Sequence, residues 1–257
     1  MMDPRYLKNI REGMKVGIIT AQNKYSVGLV KEIALRNPFN EQGITVRLKN
    51  GAIGRVKEII LTEPEQQELA AIEIKKLLKA GENLHAEFKA EALWSTTYNP
   101  PQIKESKSFE LREYGLKASK IIIAKSIAAF LNSDGGNLLI GIKEKKEEGK
   151  FELIGLEEDM KKTKEQGIDS YKRTLIDEII KAFFPSKIFN HLNDYISFEF
   201  VTIEEKIVCH IKIKKSDSRV FLKLNDKEVF LIRVDSENRT LDGEKLVDYC
   251  IKKWGSR

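Results

Sequence analysis

One helix-length apolar segment most limits how this chain can fold. Residues 118–132 read ASKIIIAKSIAAFLN, which predicts a strongly apolar helix. The next four residues, SDGG, end that helix, and NLLIGIKE then predicts a buried strand. A helix and a strand of this kind need cover on several sides. The chain has 257 residues, of which 41% are apolar, and this is enough for a sizeable core in one large domain or two smaller ones.

The elements around this segment predict an α+β fold. LHAEFKAEALW indicates a strand, and the polar stretch of residues 95–112, which contains Pro100 and Pro101, is interpreted as a long loop. Residues 168–184 predict an amphipathic helix that Pro185 ends, and residues 243–254 predict a closing helix. Between these helices, residues 195–216 and 220–236 each predict two alternating strands about a polar turn.

The first sixty residues predict a small β-barrel. Four short segments, KVGII, VGLVKEIAL, ITVRLKN and IGRVKEII, carry alternating β-branched residues. NPFNEQG and the Asn50-Gly51 pair are turn signals between them. Thr62 and Pro64 then open a helix that Gly81 ends. The predicted organisation is a β-domain at residues 1–62, a connecting helix at 63–81, and an α+β domain with a mixed sheet at 82–257.

The positive charge is concentrated in this first domain. Residues 1–62 hold eleven Lys/Arg and five Asp/Glu, so they carry the whole net charge of +6, and the remaining residues sum to zero. Four of these cations, Arg47, Lys49, Arg55 and Lys57, fall on one face of a predicted hairpin. A compact positive segment attracts polyanions such as nucleic acids. A basic face that only keeps the protein in solution is the alternative interpretation.

Composition also indicates the compartment. No run of eighteen apolar residues occurs, and the first fifteen residues lack the apolar core of a secretory signal, so we expect no membrane segment and no export. Two cysteines, Cys209 and Cys250, are too few for a disulfide framework, and we predict that they are reduced core residues. These observations predict a cytoplasmic protein.

Several ordered motifs in residues 80–254 resemble the Schlafen AlbA-type domain. The family pattern is Glu, four residues, then Glu-Phe-Lys; a helix ending in Ala-Phe-x-Asn; Gly-Gly; a Leu-Ile-Gly-Ile strand with acidic residues at its end; and a late Arg-Val strand followed by Thr. The matching residues are Glu82, Glu87, Phe88, Lys89, Ala129, Phe130, Asn132, Gly135, Gly136, Leu139, Ile140, Gly141, Glu144, Arg233, Val234, Asn238, Arg239 and Thr240. Residues 5–60 separately resemble the YwbE-like family of small bacterial proteins, for which no activity carries over.

The Schlafen resemblance implies a metal-dependent endoribonuclease, a phosphodiester hydrolase that acts on structured RNA such as tRNA. It assigns Glu82, Glu87 and Glu144 as carboxylates that hold Mg²⁺ or Mn²⁺, and Lys89 as a cation for the phosphate. Glu87 and Lys89 lie two apart on one predicted strand and therefore share a face. The zinc site of animal Schlafens is not expected, because Cys209, His210 and Cys250 lack the usual ligand spacing.

Other residues are predicted to contact nucleic acid, with RNA favoured over DNA. They are Lys212, Lys214, Arg233 and Arg239, besides the four cations of the first domain. Trp94 and Tyr98 are candidates for base stacking, with packing as the alternative, and Gly135-Gly136 is interpreted as a turn that needs a positive φ. Animal Schlafens form their RNA cleft from two lobes, so a homodimer is a further hypothesis for this chain.

Two alternatives to the nuclease remain open. One is a non-catalytic DNA- or RNA-binding regulatory module, since surface Glu and Lys residues two apart on a strand are common. The other is a ribosome-associated protein led by its basic N-terminal domain.

Overall fold

The computed structural model describes residues 2–145 and 149–255 and has the predicted α+β fold. The chain forms two compact units, an N-terminal unit at residues 1–69 and a C-terminal unit at residues 70–257. The division falls inside a single helix, α1 (Glu63–Ala80). Thr62 begins this helix as predicted, since its backbone N–H and its hydroxyl both donate to Glu65 Oε2 at 2.9 Å.

The N-terminal unit is a closed four-stranded barrel, which confirms the predicted small barrel. Its strands are β1 (Lys15–Thr20), β2 (Tyr25–Ile33), β3 (Thr45–Leu48) and β4 (Ile53–Ile60), preceded by a 3₁₀ turn at Leu7–Asn9. All pairs are antiparallel, and β1 pairs with both β2 and β4. Alternate residues point inward and form the core: Val16, Ile18, Val30, Val46, Leu48 and Val56 are fully buried.

Gly43, just before β3, has a backbone conformation that residues other than glycine rarely adopt. Its φ is +98°, and a Cβ built on it would lie 2.0 Å from the carbonyl oxygen of Val56. The barrel therefore requires glycine here both for its positive φ and for the close approach of another backbone segment.

The C-terminal unit is built on a mixed sheet in the order β5, β6, β10, β9. These strands are β5 (Ala86–Lys89), β6 (Gly136–Ile140), β9 (Ile196–Ile203) and β10 (Lys206–Ile213). The β5–β6 pair is parallel, and the other two pairs are antiparallel. Two smaller antiparallel sheets accompany it: β7 (Ile142–Lys145) with β8 (Lys150–Leu153), and β11 (Phe221–Leu224), β12 (Lys227–Val234) and β13 (Glu237–Leu241).

The apolar segment that limited the fold forms helix α4 (Ala118–Asn132), which is buried along most of its length and packs on β12. The other helices are α2 (Pro100–Glu105), α3 (Phe109–Tyr114), α5 (Glu157–Met160), α6 (Ile168–Leu175), α7 (Lys181–Phe183), α8 (Ser186–Asn190), α9 (Leu192–Tyr195) and α10 (Gly243–Trp254). A π-helical turn, Ile176–Ile180, joins α6 to α7, and 3₁₀ turns occupy Trp94–Thr97 and Gly115–Lys117.

The prediction of a long loop at residues 95–112 is wrong, because this stretch contains α2 and α3. Asn99 caps α2: its side chain accepts from the Gln102 N–H, and the Gln102 side chain accepts from the Asn99 N–H. Ser108 caps α3 by accepting from the Leu111 N–H at 3.2 Å. Pro100 and Pro101 lie in the first turn of α2, where a missing N–H costs nothing, so the prolines begin a helix here.

The main sheet has two distinct buried faces. On one face Leu138, Ile140, Cys209 and Ile211 join the large core around α4. On the other face Phe88, Leu139, Val201 and Val208 pack with Ile74 of α1. Because neighbouring residues of a strand point to opposite faces, Glu87 lies on the α4 side, whereas Glu199 and His210 lie on the α1 side.

Candidate functional site

Glu82 and Glu87 lie close together at β5, with Lys89 beside them. Glu82 Oε1 accepts a hydrogen bond of 2.7 Å from the Phe88 N–H, which holds the Glu82 side chain against the strand. Lys89 Nζ forms an ion pair with Glu87 Oε1, so these two side chains share a face as predicted. Burial raises the pKa of Glu82, and the negative charge of Glu87 raises it further.

Glu87 is the counterion of a buried arginine. The Glu87 carboxylate pairs through Oε2 with Arg233 Nη1, and their side chains are 7% and 0% exposed. The Arg233 guanidinium also donates to the carbonyl oxygens of Asn83 and Ala86 and to Asn238 Oδ1, and it lies 5.2 Å from the centre of the Phe130 ring. Arg233, which is predicted to contact nucleic acid, is therefore buried, and its donors are used inside the domain.

Glu144, the third predicted carboxylate, belongs to a different strand from Glu87. It is an exposed residue of β7, opposite Phe151 of β8. The structure brings Glu82 and Glu87 together. Among the described residues, however, the carboxylate oxygens of Glu82, Glu87 and Glu144 do not all lie within 4.8 Å of one another. Because both oxygens of Glu87 already face cations, these residues as they stand do not fit a three-carboxylate metal centre.

Within the described part of the chain, the ligand atoms of three other residues do lie this close together. A carboxylate oxygen of Glu73, a carboxylate oxygen of Glu199 and a ring nitrogen of His210 all lie within 4.8 Å of one another. Glu73 comes from α1, Glu199 from β9 and His210 from the directly opposite position of β10. These three residues, the Glu73–Glu199–His210 cluster, could hold a divalent metal ion.

His210 is fully buried, and its hydrogen bonding fixes its form. The Asn137 amide nitrogen donates to the His85 carbonyl oxygen at 3.2 Å, so its Oδ1 faces His210 Nε2 at 2.8 Å and accepts from it. His210 Nδ1 then carries a lone pair, and it is buried without a hydrogen-bond partner among the described residues. Burial, together with the nearby positive charge of Lys212, lowers the pKa of His210 to about 4, so the ring is neutral near pH 7.

Lys212 lies between the two carboxylates of the cluster. Its Nζ is 2.8 Å from Glu73 Oε2 and 3.0 Å from Glu199 Oε2. Burial opposes the charge of Lys212, but the two carboxylates outweigh it and raise the pKa of Lys212. Burial likewise opposes the charge of Glu73, but the hydrogen bond from Lys212 and nearby positive charge, chiefly that of Lys212, together outweigh it, so the pKa of Glu73 is lowered. Lys212, predicted to contact nucleic acid, thus already has two partners.

Of the four predicted cations of the barrel, Arg47, Arg55 and Lys57 lie on the outward face of β3 and β4, where Val46 and Val56 point inward, and Lys49 directly follows β3. Thr45 lies opposite Arg55 and Arg47 lies opposite Ile53, so Arg47 and Arg55 are diagonal neighbours. Arg47 pairs with Glu32 at 2.6 Å, and Lys57 donates to the Gln42 carbonyl oxygen at 3.1 Å. Lys49 and Arg55 are exposed and form no ion pair within the described residues.

A pocket of about 460 Å³ near the cluster includes three residues that the sequence analysis singled out, Gly135, Lys212 and Lys214. His85 and Asp134 also line this pocket. Gly135 has a φ of +77°, and a Cβ there would lie 2.5 Å from the Ile213 carbonyl oxygen, so this turn needs a positive φ as predicted.

The remaining predicted contacts lie at the surface. Arg239 is exposed and pairs with Glu237 at 3.3 Å. Trp94 and Tyr98 contact each other edge to face at 5.8 Å, and Tyr98 is exposed.

Cys209 and Cys250 are buried free thiols, as predicted.

No local sequence pattern indicates two polar centres of the structure, the buried Asp159 and the Glu73–Glu199–His210 cluster. Asp159 is fully buried and accepts from the N–H groups of Ala92 and Leu93, from the Tyr171 hydroxyl at 2.8 Å and from Lys162 at 3.2 Å. Strand β5 ends at Lys89, before these two N–H groups, so it is shorter than the predicted strand of residues 84–94. The Glu73–Glu199–His210 cluster was missed because its members are far apart in the chain.

The chain thus combines a small closed barrel with an α+β unit that has a mixed sheet. A family model described as Schlafen, AlbA_2 matches residues 102–242, more than half of the chain, and the chain belongs to this family. A second model, described as an uncharacterized conserved protein (DUF2196), matches residues 3–59. The predicted two-part architecture is thereby confirmed, although Glu82, Glu87 and Lys89 lie before the matched Schlafen residues.

Comparison with solved structures finds similarity to the DIP2311 protein from Corynebacterium diphtheriae, at 19% sequence identity and a TM-score of 0.41. The similarity covers 74% of this chain but only 33% of that protein, so this chain corresponds to about a third of its length. No curated protein matches significantly. In the described residues, no helix is both long enough and apolar enough to cross a bilayer.

Proposed function

We propose that this protein binds nucleic acid, with RNA favoured over DNA, and that the exposed cations of the barrel supply much of the affinity. The observation that carries this proposal is the outward face of β3 and β4. There Lys49 and Arg55 are exposed without an ion pair among the described residues, and residues 1–62, to which they belong, carry a net charge of +6. Membership of the Schlafen AlbA_2 family supports the same conclusion.

The physical basis is the release of counterions from a polyanion. Each lysine or arginine that neutralises a phosphate releases condensed cations, so binding weakens linearly on a log–log plot against salt. The slope is about −0.7 per phosphate contact for single strands. Lys49 and Arg55 do not have to leave a partner first, so they contribute fully to this slope. Arg47 must first leave Glu32, which reduces its net contribution.

The test is RNA binding of the full chain across a salt series, for the parent and for Lys49→Gln/Arg55→Gln. We expect weaker binding of every RNA sequence and, for single strands, a slope that is shallower by about 0.7 for each lost contact. The matched control is Lys223→Gln/Lys227→Gln, which removes two exposed cations from the β11–β12 hairpin. Equal slopes for the parent and for Lys49→Gln/Arg55→Gln would overturn the proposal, and DNA of the same sequence tests the preference for RNA.

A second candidate function is a divalent-metal-dependent endoribonuclease that acts on structured RNA such as tRNA, with Mg²⁺ or Mn²⁺. The family membership and the proximity of Glu82, Glu87 and Lys89 favour it. As the described geometry stands, a catalytic centre built from Glu82, Glu87 and Glu144 would need Glu87 to exchange its pairing with Arg233. The non-catalytic binding module needs no such rearrangement.

The test of the second candidate is incubation of the full chain with tRNA and Mn²⁺, for the parent and for Glu82→Gln and Glu144→Gln. These two variants are preferred to Glu87→Ala, which leaves a buried arginine unpaired and can therefore lose activity through unfolding. Cleavage by the parent but by neither folded variant supports the nuclease. Binding without cleavage by any of them supports the binding module.

Two further properties remain proposals. A homodimer, as a way to form a two-lobed cleft, is tested by light scattering over a range of protein concentrations, and a strict monomer would contradict it. A cytoplasmic location is tested by cell fractionation.

A further inference from the structure

We propose that Glu73, Glu199 and His210 form a binding site for one divalent transition-metal ion, of the Mn²⁺ and Zn²⁺ class. The site lies on the α1 side of the main sheet, opposite to the side of Glu87. It is separate from the carboxylates that the family pattern assigns and does not depend on the proposed nucleic-acid binding.

The cluster has the ligand types and the spacing that such an ion needs. Two carboxylate oxygens and one imidazole nitrogen from three elements converge within 4.8 Å of one another. Bonds of about 2.0–2.2 Å to a shared ion require modest closure, which side-chain rotation of the partly exposed Glu73 and Glu199 can supply. Water fills the remaining positions in such three-ligand sites.

The buried imidazole is the observation that points to a ligand. Metal-binding histidines use one ring nitrogen for the metal and donate the other N–H to an oxygen that fixes the ring. His210 has this arrangement, since Nε2 donates to Asn137 Oδ1 and Nδ1 has no partner among the described residues. A buried nitrogen without a partner costs free energy, and a bound ion would satisfy it.

The donor set selects the class of metal. Mg²⁺ and Ca²⁺ prefer sites made of oxygens alone, whereas imidazole suits first-row transition metals. One imidazole with two carboxylates therefore favours Mn²⁺ and Zn²⁺ over Mg²⁺. Among these two, Zn²⁺ binds more tightly to a given set of ligands.

Lys212 acts as the counterion that an arriving metal displaces. Its ammonium lies within 3.0 Å of both carboxylates and neutralises part of their charge. It is one-third exposed, so its flexible side chain can move into solvent when a divalent cation replaces it. Lys212 satisfies the two carboxylates, but it leaves Nδ1 of His210 without a partner.

The test is titration of the full chain with Mn²⁺, followed by electron paramagnetic resonance, for the parent and for Glu73→Gln. We expect one ion per chain in the parent and at least a tenfold loss of affinity in Glu73→Gln. Glu73 is partly exposed, so this variant should fold. The matched control is Glu204→Gln, which removes the carboxylate paired with Lys75 at 3.2 Å and should keep the parent affinity.

A second readout tests ligation by histidine directly. Electron spin echo modulation of the bound Mn²⁺ should show coupling to an imidazole nitrogen. The absence of stoichiometric binding of Mn²⁺ and Zn²⁺ would overturn the proposal. Equal affinity of Glu73→Gln and the parent, a bound ion without nitrogen coupling, or equal affinity for Mg²⁺ and Mn²⁺ would also overturn it.

Discussion

Replacement of Glu87 by Gln should destabilise the C-terminal unit, because it leaves the charge of Arg233 buried without a counterion. The two side chains are 7% and 0% exposed, so water cannot take over the role of the carboxylate. A catalytic metal ligand should behave differently. Removing one of several repelling carboxylates keeps or raises stability and lowers only activity.

The magnitude follows from what remains around Arg233. Removing one partner of a buried ion pair costs about 3–5 kcal/mol. Arg233 keeps its hydrogen bonds to the carbonyl oxygens of Asn83 and Ala86 and to Asn238, so we expect the lower end, about 3 kcal/mol. Lys89 also loses a partner, but its side chain is 26% exposed, and this adds less than about 1 kcal/mol.

Urea unfolding followed by tryptophan fluorescence measures this effect selectively. Both tryptophans, Trp94 and Trp254, belong to the C-terminal unit, so their signal reports that unit alone. With an m value of about 3 kcal/mol/M, the unfolding midpoint of Glu87→Gln should fall by about 1 M.

The control is Glu144→Gln, which removes an exposed carboxylate and should change the unfolding free energy by less than about 0.5 kcal/mol. If the unfolding free energy of Glu87→Gln is within about 1 kcal/mol of that of the parent, or exceeds it, Glu87 is not the counterion that the geometry indicates.

Three other substitutions test the packing of polar groups and of the barrel. Burial raises the pKa of Glu82, so ionisation of Glu82 destabilises the folded state as the pH rises through that pKa. Glu82→Gln should therefore be more stable than the parent at pH 7. In a urea unfolding series at different pH values, this difference should vanish below about pH 4. Asp159→Ala leaves two buried N–H groups and the Tyr171 hydroxyl without their acceptor and should cost at least about 3 kcal/mol by the same fluorescence assay. Gly43→Ala should cost the barrel at least about 2 kcal/mol, measured by hydrogen exchange of its amides, because φ is +98° and Val56 O would lie 2.0 Å from the new Cβ; unchanged protection would contradict this explanation.

Elements whose burial follows from a local pattern were predictable from the sequence. The four barrel strands alternate small β-branched residues with polar ones, and Asn50-Gly51 marks the β3–β4 turn, so both the strands and the closure of the hairpin could be foreseen. Helix α4 and strand β6 follow from their continuous apolar composition. Helix α2 was also encoded, since Asn99 and Gln102 form a capping box and the two prolines between them suit the first turn, but the prolines were interpreted as loop residues.

The candidate site depends on pairings that no local pattern encodes. Glu87 and Lys89 share a face because of strand periodicity, which the sequence shows. That the principal partner of Glu87 is Arg233 depends on how β12 packs near β5, and 146 residues separate them in the chain. The same holds for Glu73 and His210, which meet only because α1 covers β10.

Closure of the N-terminal barrel limits how this unit can recognise a partner. Since β1 pairs with both of its neighbours, β2 and β4, the sheet has no terminal strand with unpaired main-chain groups. A partner therefore cannot lengthen this sheet by adding a strand of its own. Recognition has to use side chains on the outer surface, and those can change during evolution without disturbing the ladder that holds the barrel together.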